Sequence, residues 1–202
     1  MTFPSPFLIR RRFAQLAAHL VVALVALVVI GGATRVMEAG LACPDWPLCY
    51  RSFFPGHQMN IRVFLEWFHR LDAFLVGLAL LVQFGFSILW RSQLPRWLPL
   101  ACAGLIILVI LQGSLGALTV VQLLPNALVT AHLFFALTLL AIVSAMSQCL
   151  LPPSKTQVPF WWRTLGGTSL IAVIFQSVLG ACVASTWSAQ SCINYGEACQ
   201  LL

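Results

Sequence analysis

From Trp97 to Val121 the chain runs for 25 residues without one acidic, basic or histidine side chain. As a helix, at about 1.5 Å per residue, that stretch exceeds the roughly 30 Å of hydrocarbon in a bilayer. Four more stretches are apolar enough and about long enough to cross: Phe13–Ile30, Val63–Trp90, Ala127–Leu151 and Leu165–Ala184. Only 8% of the 202 residues are charged, against about a quarter in soluble domains, so a water-facing surface could not be clothed. The chain is expected to be an all-α polytopic membrane protein, a transmembrane four-helix bundle plus a fifth span.

Two rival classes fall away here. The net charge of +6 raises nucleic acid as a partner, but the longest basic run is Arg10-Arg11-Arg12. In so apolar a chain those arginines serve as topology signals. A cleaved leader is disfavoured because Phe13–Ile30 exceeds a typical signal core and Gly31-Gly32-Ala33-Thr34-Arg35 lacks a small-x-small site.

Charge then predicts sidedness. Arg10, Arg11, Arg12, Arg91, Arg96, Lys155 and Arg163 fall on one side, and Arg35, Arg51, Arg62 and Arg70 on the other. The side richer in arginine and lysine is expected in the cytoplasm, with the C-terminus outside, in an inner (plasma) membrane. Cys43, Cys49, Cys192 and Cys199 then occupy outer segments, in an oxidising space where disulfides persist. Their spacings exclude a C-x-x-C redox motif.

A repeat organises the chain. Gly31 precedes Cys43 by 12 residues and Cys49 by 18; Gly180 precedes Cys192 by 12 and Cys199 by 19. Gln112-x-x-Leu115-Gly116-Ala117 is echoed by Gln176-x-x-Leu179-Gly180-Ala181. The expected organisation is a four-helix unit over residues 1–151, followed over 152–202 by a connector, a fifth span and an outer loop that open an incomplete second copy.

Ionisable groups inside a span mark function by default. Glu66 and His69 share one face of the second span, a turn apart. His69 lies seven residues beyond Arg62 and His132 seven beyond Pro125, so both imidazoles sit about 10 Å below one membrane boundary. Matched depth on two helices of one unit suits bis-histidine haem ligation. A lone buried histidine is more often a hydrogen-bonded core residue, and His19 and His57 are read that way. Asp72 is expected to pair with an arginine. Arg70 is placed either to snorkel outward or to meet a haem propionate.

The motifs Gly31-Gly32-Ala33-Thr34-Arg35, Cys43-Pro44-Asp45-Trp46-Pro47-Leu48-Cys49, Glu66-x-x-His69-Arg70, Leu115-Gly116-Ala117-Leu118-Thr119-Val120 and His132 resemble the haem A synthase family over the whole chain. That resemblance implies an oxidoreductase that converts haem O to haem A by oxidising the C8 methyl to a formyl group. It also implies an eight-span form in two similar halves, one for the substrate haem and one for a haem b. Carried over, His69 and His132 are axial ligands to the haem iron, Glu66 is the catalytic carboxylate, and Arg35 and Arg70 meet propionates. Cys43 and Cys49 form a disulfide, as a structural staple or an electron carrier, with Cys192 and Cys199 a second candidate pair. Haem O synthase and terminal oxidase assembly are the implied partners, together with the lipid bilayer. Half-size relatives make a homo-oligomer that completes the architecture conceivable. Tyr50-Arg51 after the loop, the looser Cys192–Cys199 copy and the missing later spans depart from the family pattern.

Three other functions compete. A membrane b-type cytochrome needs the histidines but not Glu66. A quinone-linked thiol oxidoreductase needs the cysteines but not the histidines. A non-catalytic assembly subunit needs neither.

Overall fold

The computed structural model describes residues 5–152 and 159–186. Five helices account for most of them: α1 (Pro6–Val36), α2 (Ile61–Leu89), α3 (Leu98–Val121), α4 (Asn126–Leu150) and α5 (Phe160–Thr186). Among the described residues α1 to α4 are long and apolar enough to cross a membrane. The expected fifth span lies inside α5, whose 27 residues give about 40 Å of helix.

Local signals set the helix starts. The Ser5 hydroxyl accepts from the Leu8 N–H ahead of Pro6 at the first position of α1. The Asn60 side-chain oxygen Oδ1 accepts from the Arg62 and Val63 N–H groups at 3.0 and 3.1 Å. The first and second spans begin earlier than apolarity alone suggests because a helix cap, not the lipid boundary, decides where winding starts.

Helices α1 to α4 form a ring in which each packs on its sequence neighbours and α4 closes back on α1. Hence α2 and α4 stand on one diagonal, and α1 and α3 on the other. Helix α5 packs on α4. The ring is filled by Leu20, Leu24, Val76, Leu80, Leu105, Leu139 and Val143, while Leu100, Ile107 and Ile110 of α3 point outward, as lipid requires. Arg10 ties the ring at one end: its Nε donates to the Leu150 carbonyl at 2.8 Å and its Nη2 to the Cys149 carbonyl at 3.0 Å. These carbonyls end α4, where a cation is favoured.

The opposite end repeats itself. In α1, Ala39 N–H bonds Thr34 O at 2.8 Å and Glu38 N–H bonds Arg35 O at 3.2 Å. In α3, Leu124 N–H bonds Thr119 O at 2.7 Å and Leu123 N–H bonds Val120 O at 3.2 Å. Both are Schellman C-caps, with Glu38 (φ 53°) and Leu123 (φ 58°) in the left-handed position. Glu38 follows Gly31 by seven residues and Leu123 follows Gly116 by seven, so α1 and α3 are equivalent in register.

Candidate functional site

That shared register places one glycine on α1 and one on α3, each five residues before its helix's last residue (Val36 and Val121). Each glycine faces an imidazole. A Cβ on Gly31 would lie 3.0 Å from His69 Cε1, and a Cβ on Gly116 would lie 3.2 Å from His132 Cε1. His69 is eight residues into α2 and His132 six into α4, a difference of about 3 Å along the helices. The two rings come from diagonal helices, each seated against a neighbouring helix by a residue that lacks a side chain. In each ring Nδ1 is buried and has no hydrogen-bond partner.

Gln112 of α3 adds a polar contact. Its Nε2 donates to the His132 carbonyl at 2.9 Å and lies 3.4 Å from His132 Nε2, while its Oε1 is buried and unpartnered. The sequence marked Gln112 only as part of a repeat.

Above the histidines sits the loop from Met37 to Asn60, closed by a Cys43–Cys49 disulfide with a Cα separation of 4.8 Å. The expected bond is present, and both cysteines are buried. Asp45 shapes the turn: Oδ1 accepts from Tyr50 N–H and Oδ2 from Arg51 N–H, both at 2.7 Å. Those bonds hold Tyr50 and Arg51 at left-handed φ of 54° and 57°. Trp67 donates from Nε1 to the Phe53 carbonyl at 2.7 Å.

Glu66 and Arg70 join this loop to α2. Glu66 Oε2 accepts the Cys43 N–H at 2.8 Å, and Oε1 pairs with Arg70 Nη2. Arg70 Nη1 donates to the Asp45 and Leu48 carbonyls, each at 2.6 Å. Glu66 is buried, and its charge is met within its own helix and by the loop backbone. Arg70 therefore neither snorkels nor stands open: its guanidinium holds loop carbonyls.

The remaining expected residues separate. Arg35 is partly buried in the last turn of α1. His19 Nδ1 lies 2.7 Å from the Gln15 carbonyl, a local contact along α1, and His57 lies in a 3-10 turn, in keeping with structural roles. Asp72 makes no ion pair among the described residues, so the expected arginine partner is not there; Arg70 is taken by Glu66. Cys192, Cys199 and Lys155 lie outside the described residues.

Among the described residues no group of three or more histidine, cysteine or acidic side chains could hold a bare metal ion. Two imidazoles on diagonal helices suit instead a metal already chelated in a plane, which needs few further donors. The orphaned Nδ1 atoms and the glycine cradles fit such a group.

An all-α membrane unit with diagonal imidazoles under a disulfide-closed loop narrows the class to helical membrane proteins able to take a planar metal chelate. The model of the cytochrome oxidase assembly protein family matches residues 14–199. The chain is 31% identical to a Heme A synthase of Shewanella oneidensis, over 82% of this chain and 54% of the relative. It is 34% identical to a Heme A synthase of Bacillus pumilus, over 69% and 45% respectively. A Protoheme IX farnesyltransferase of Haloquadratum walsbyi is 31% identical over 68% of this chain and 28% of its own length. The chain belongs to the haem A synthase family, and it spans about half the length of the curated Heme A synthases it matches.

Proposed function

We propose that this chain binds haem O between α2 and α4 and serves its conversion to haem A, the C8 methyl becoming a formyl group. The observation that carries the reading is the pair of imidazoles on diagonal helices, each seated on a glycine and each with a buried ring nitrogen that no protein group satisfies. His69 and His132 would hold the haem iron in this reading. Haem, when bound, supplies the redox chemistry through its iron.

The chain's own residues do the rest. Arg35, at the end of α1 on the same side as both histidines, is placed to meet a propionate, a charge-assisted bond for which a guanidinium is suited. Glu66 lies a turn from His69 and contributes negative charge near the substrate edge, where removal of electrons builds positive charge. Its carboxylate is not a free base, because both oxygens are committed, one of them to Arg70; it acts as one end of that ion pair. Arg70 holds the disulfide loop over this end of the bundle and keeps water away from it. Converting a methyl to a formyl removes four electrons and four protons and takes oxygen from one water, so a further electron acceptor is required. The likeness to a Protoheme IX farnesyltransferase fits a substrate that carries a farnesyl-derived tail, with haem O synthase as a partner.

The seven-to-four charge asymmetry supports an inner membrane location with a cytoplasmic N-terminus. The second-half haem b of the longer relatives, a homo-oligomer that supplies it, and a role in terminal oxidase assembly belong to the same proposal. Expressed in bacteria that make haem O but cannot oxidise it, the chain should yield haem A, identified by mass among extracted haems. Membranes that hold the chain and retain only haem O would count against the synthase reading.

A further inference from the structure

Gln112 has a geometry that the reading above leaves unused. Its Nε2 lies 2.9 Å from the His132 carbonyl, and a carbonyl only accepts, so the amide orientation is fixed with –NH2 toward His132 and Oε1 away. The same Nε2 lies 3.4 Å from His132 Nε2. One face of the imidazole is thus held by Gln112, and the ring edge is set against Gly116. Two buried atoms remain unsatisfied in this pair, His132 Nδ1 and Gln112 Oε1. A buried polar atom without a partner is costly, so the pair is poised to gain a partner rather than complete without one.

We infer that Gln112 is a positioning residue for His132, gripping one side of the imidazole so that the other ring nitrogen serves as axial ligand to a haem iron. This rests on the ligand reading proposed above. A neutral imidazole bound to a metal through one nitrogen carries its proton on the other, and that N–H needs an acceptor. Gln112 Oε1 is a buried acceptor with no donor, on the residue that already touches the ring. Bringing the two together requires the amide to rotate so that Oε1 replaces –NH2 beside the ring, giving up the bond to the His132 carbonyl. The partner of His69 differs: its ring lies beside the Leu27 main-chain carbonyl of α1. One axial ligand is therefore oriented by backbone and the other by a side chain that substitution can change.

The test uses the full chain, purified and titrated with iron protoporphyrin IX. Gln112→Leu should weaken binding about 10–100-fold, the usual loss for a removed outer partner of a metal-bound histidine, and should leave a mixture of spin states. Gln112→Glu keeps an acceptor and strengthens it, so binding should recover and the midpoint potential of the bound iron should fall below that of the wild type. Gln112→Leu, which adds no charge, should raise the potential, because the metal-bound imidazole loses the acceptor of its N–H. Side-chain nitrogen NMR of the haem-free protein adds a second measure: His132 should show one dominant tautomer that Gln112→Leu scrambles. Unchanged affinity, spectrum and potential in both variants, with binding still lost in His132→Ala, overturns the role of Gln112 and leaves the ligand pair intact. Binding unaffected by His132→Ala overturns both.

Discussion

Gly31 meets His69 across the α1–α2 interface so closely that one added methyl would stand 3.0 Å from Cε1 of the ring. Few real Cβ contacts are that tight, so the ring must give by a few tenths of an ångström. Gly31→Ala should therefore shift the imidazole and lower haem affinity, by less than the roughly 100-fold that a misplacement near 1 Å can cost. Gly32→Ala is the internal control, since nothing lies within 4 Å of its Cβ position. Equal haem titration curves for the two variants would show that the glycine is not a seat.

Glu66 and His69 separate by chemistry. His69→Ala should abolish low-spin absorption, because no other donor stands at that place on α2. Glu66→Gln keeps an oxygen for the Cys43 N–H and removes the charge, so haem should stay bound. In an active context haem A formation should slow by about 10²–10³, by analogy with loss of one preorganised electrostatic group. Undiminished haem A from Glu66→Gln removes Glu66 from the mechanism.

Arg70 predicts a loop phenotype. It makes two bonds to loop carbonyls and one ion pair to Glu66, and hydrogen bonds to a charged group contribute about 1.5–3 kcal/mol each. Arg70→Gln should raise the rate at which mild reductant opens Cys43–Cys49 by at least ~10-fold, read by maleimide labelling. Wild-type protein should label at neither cysteine without reductant. Identical reduction rates would mean that the loop holds itself.

Leu123 carries a left-handed φ of 58° while its side chain is 75% exposed. An L-residue there is disfavoured by about 1–2 kcal/mol, and glycine is not, though glycine gives back roughly 0.5–1 kcal/mol in chain entropy. Leu123→Gly should raise thermal stability by about 0.5–1 kcal/mol. A fall in melting temperature would mean that Leu123 packs against something that its exposure conceals, such as lipid.

Sidedness has its own measurement. A reporter fused after Leu202 should be active only outside the cytoplasm, given seven basic residues on one side and four on the other. Cytoplasmic activity would show that α5 does not cross.

Helices, spans and the disulfide were legible because lipid leaves the backbone few options and because two cysteines on one Pro-containing loop have few partners. Similar histidine depth was legible by counting. The clamp of Glu66 and Arg70 on the loop was not: a carboxylate that accepts a main-chain N–H 23 residues away leaves no periodicity to read. The equivalence of α1 and α3 was only half visible. Both Gly31 and Gly116 had been set against Gly180, which implies that they match each other, but the connector after α1 is far longer than the turn after α3. Unequal loops hid the repeat. Ring order came from packing alone, since nothing in apolar composition says which helices share a diagonal.

The grip of Arg10 on the Cys149 and Leu150 carbonyls has a consequence in time. The first helix to be made closes the ring with the last turn of the fourth, some 140 residues later. At about 5–20 residues per second of synthesis, that is a wait of roughly 7 to 28 s. Until then the face of α1 that meets α4 stays unmatched. A nascent chain that stalls before His132 presents one imidazole only, so a haem held by both histidines would be loaded after most of the fourth helix has been made.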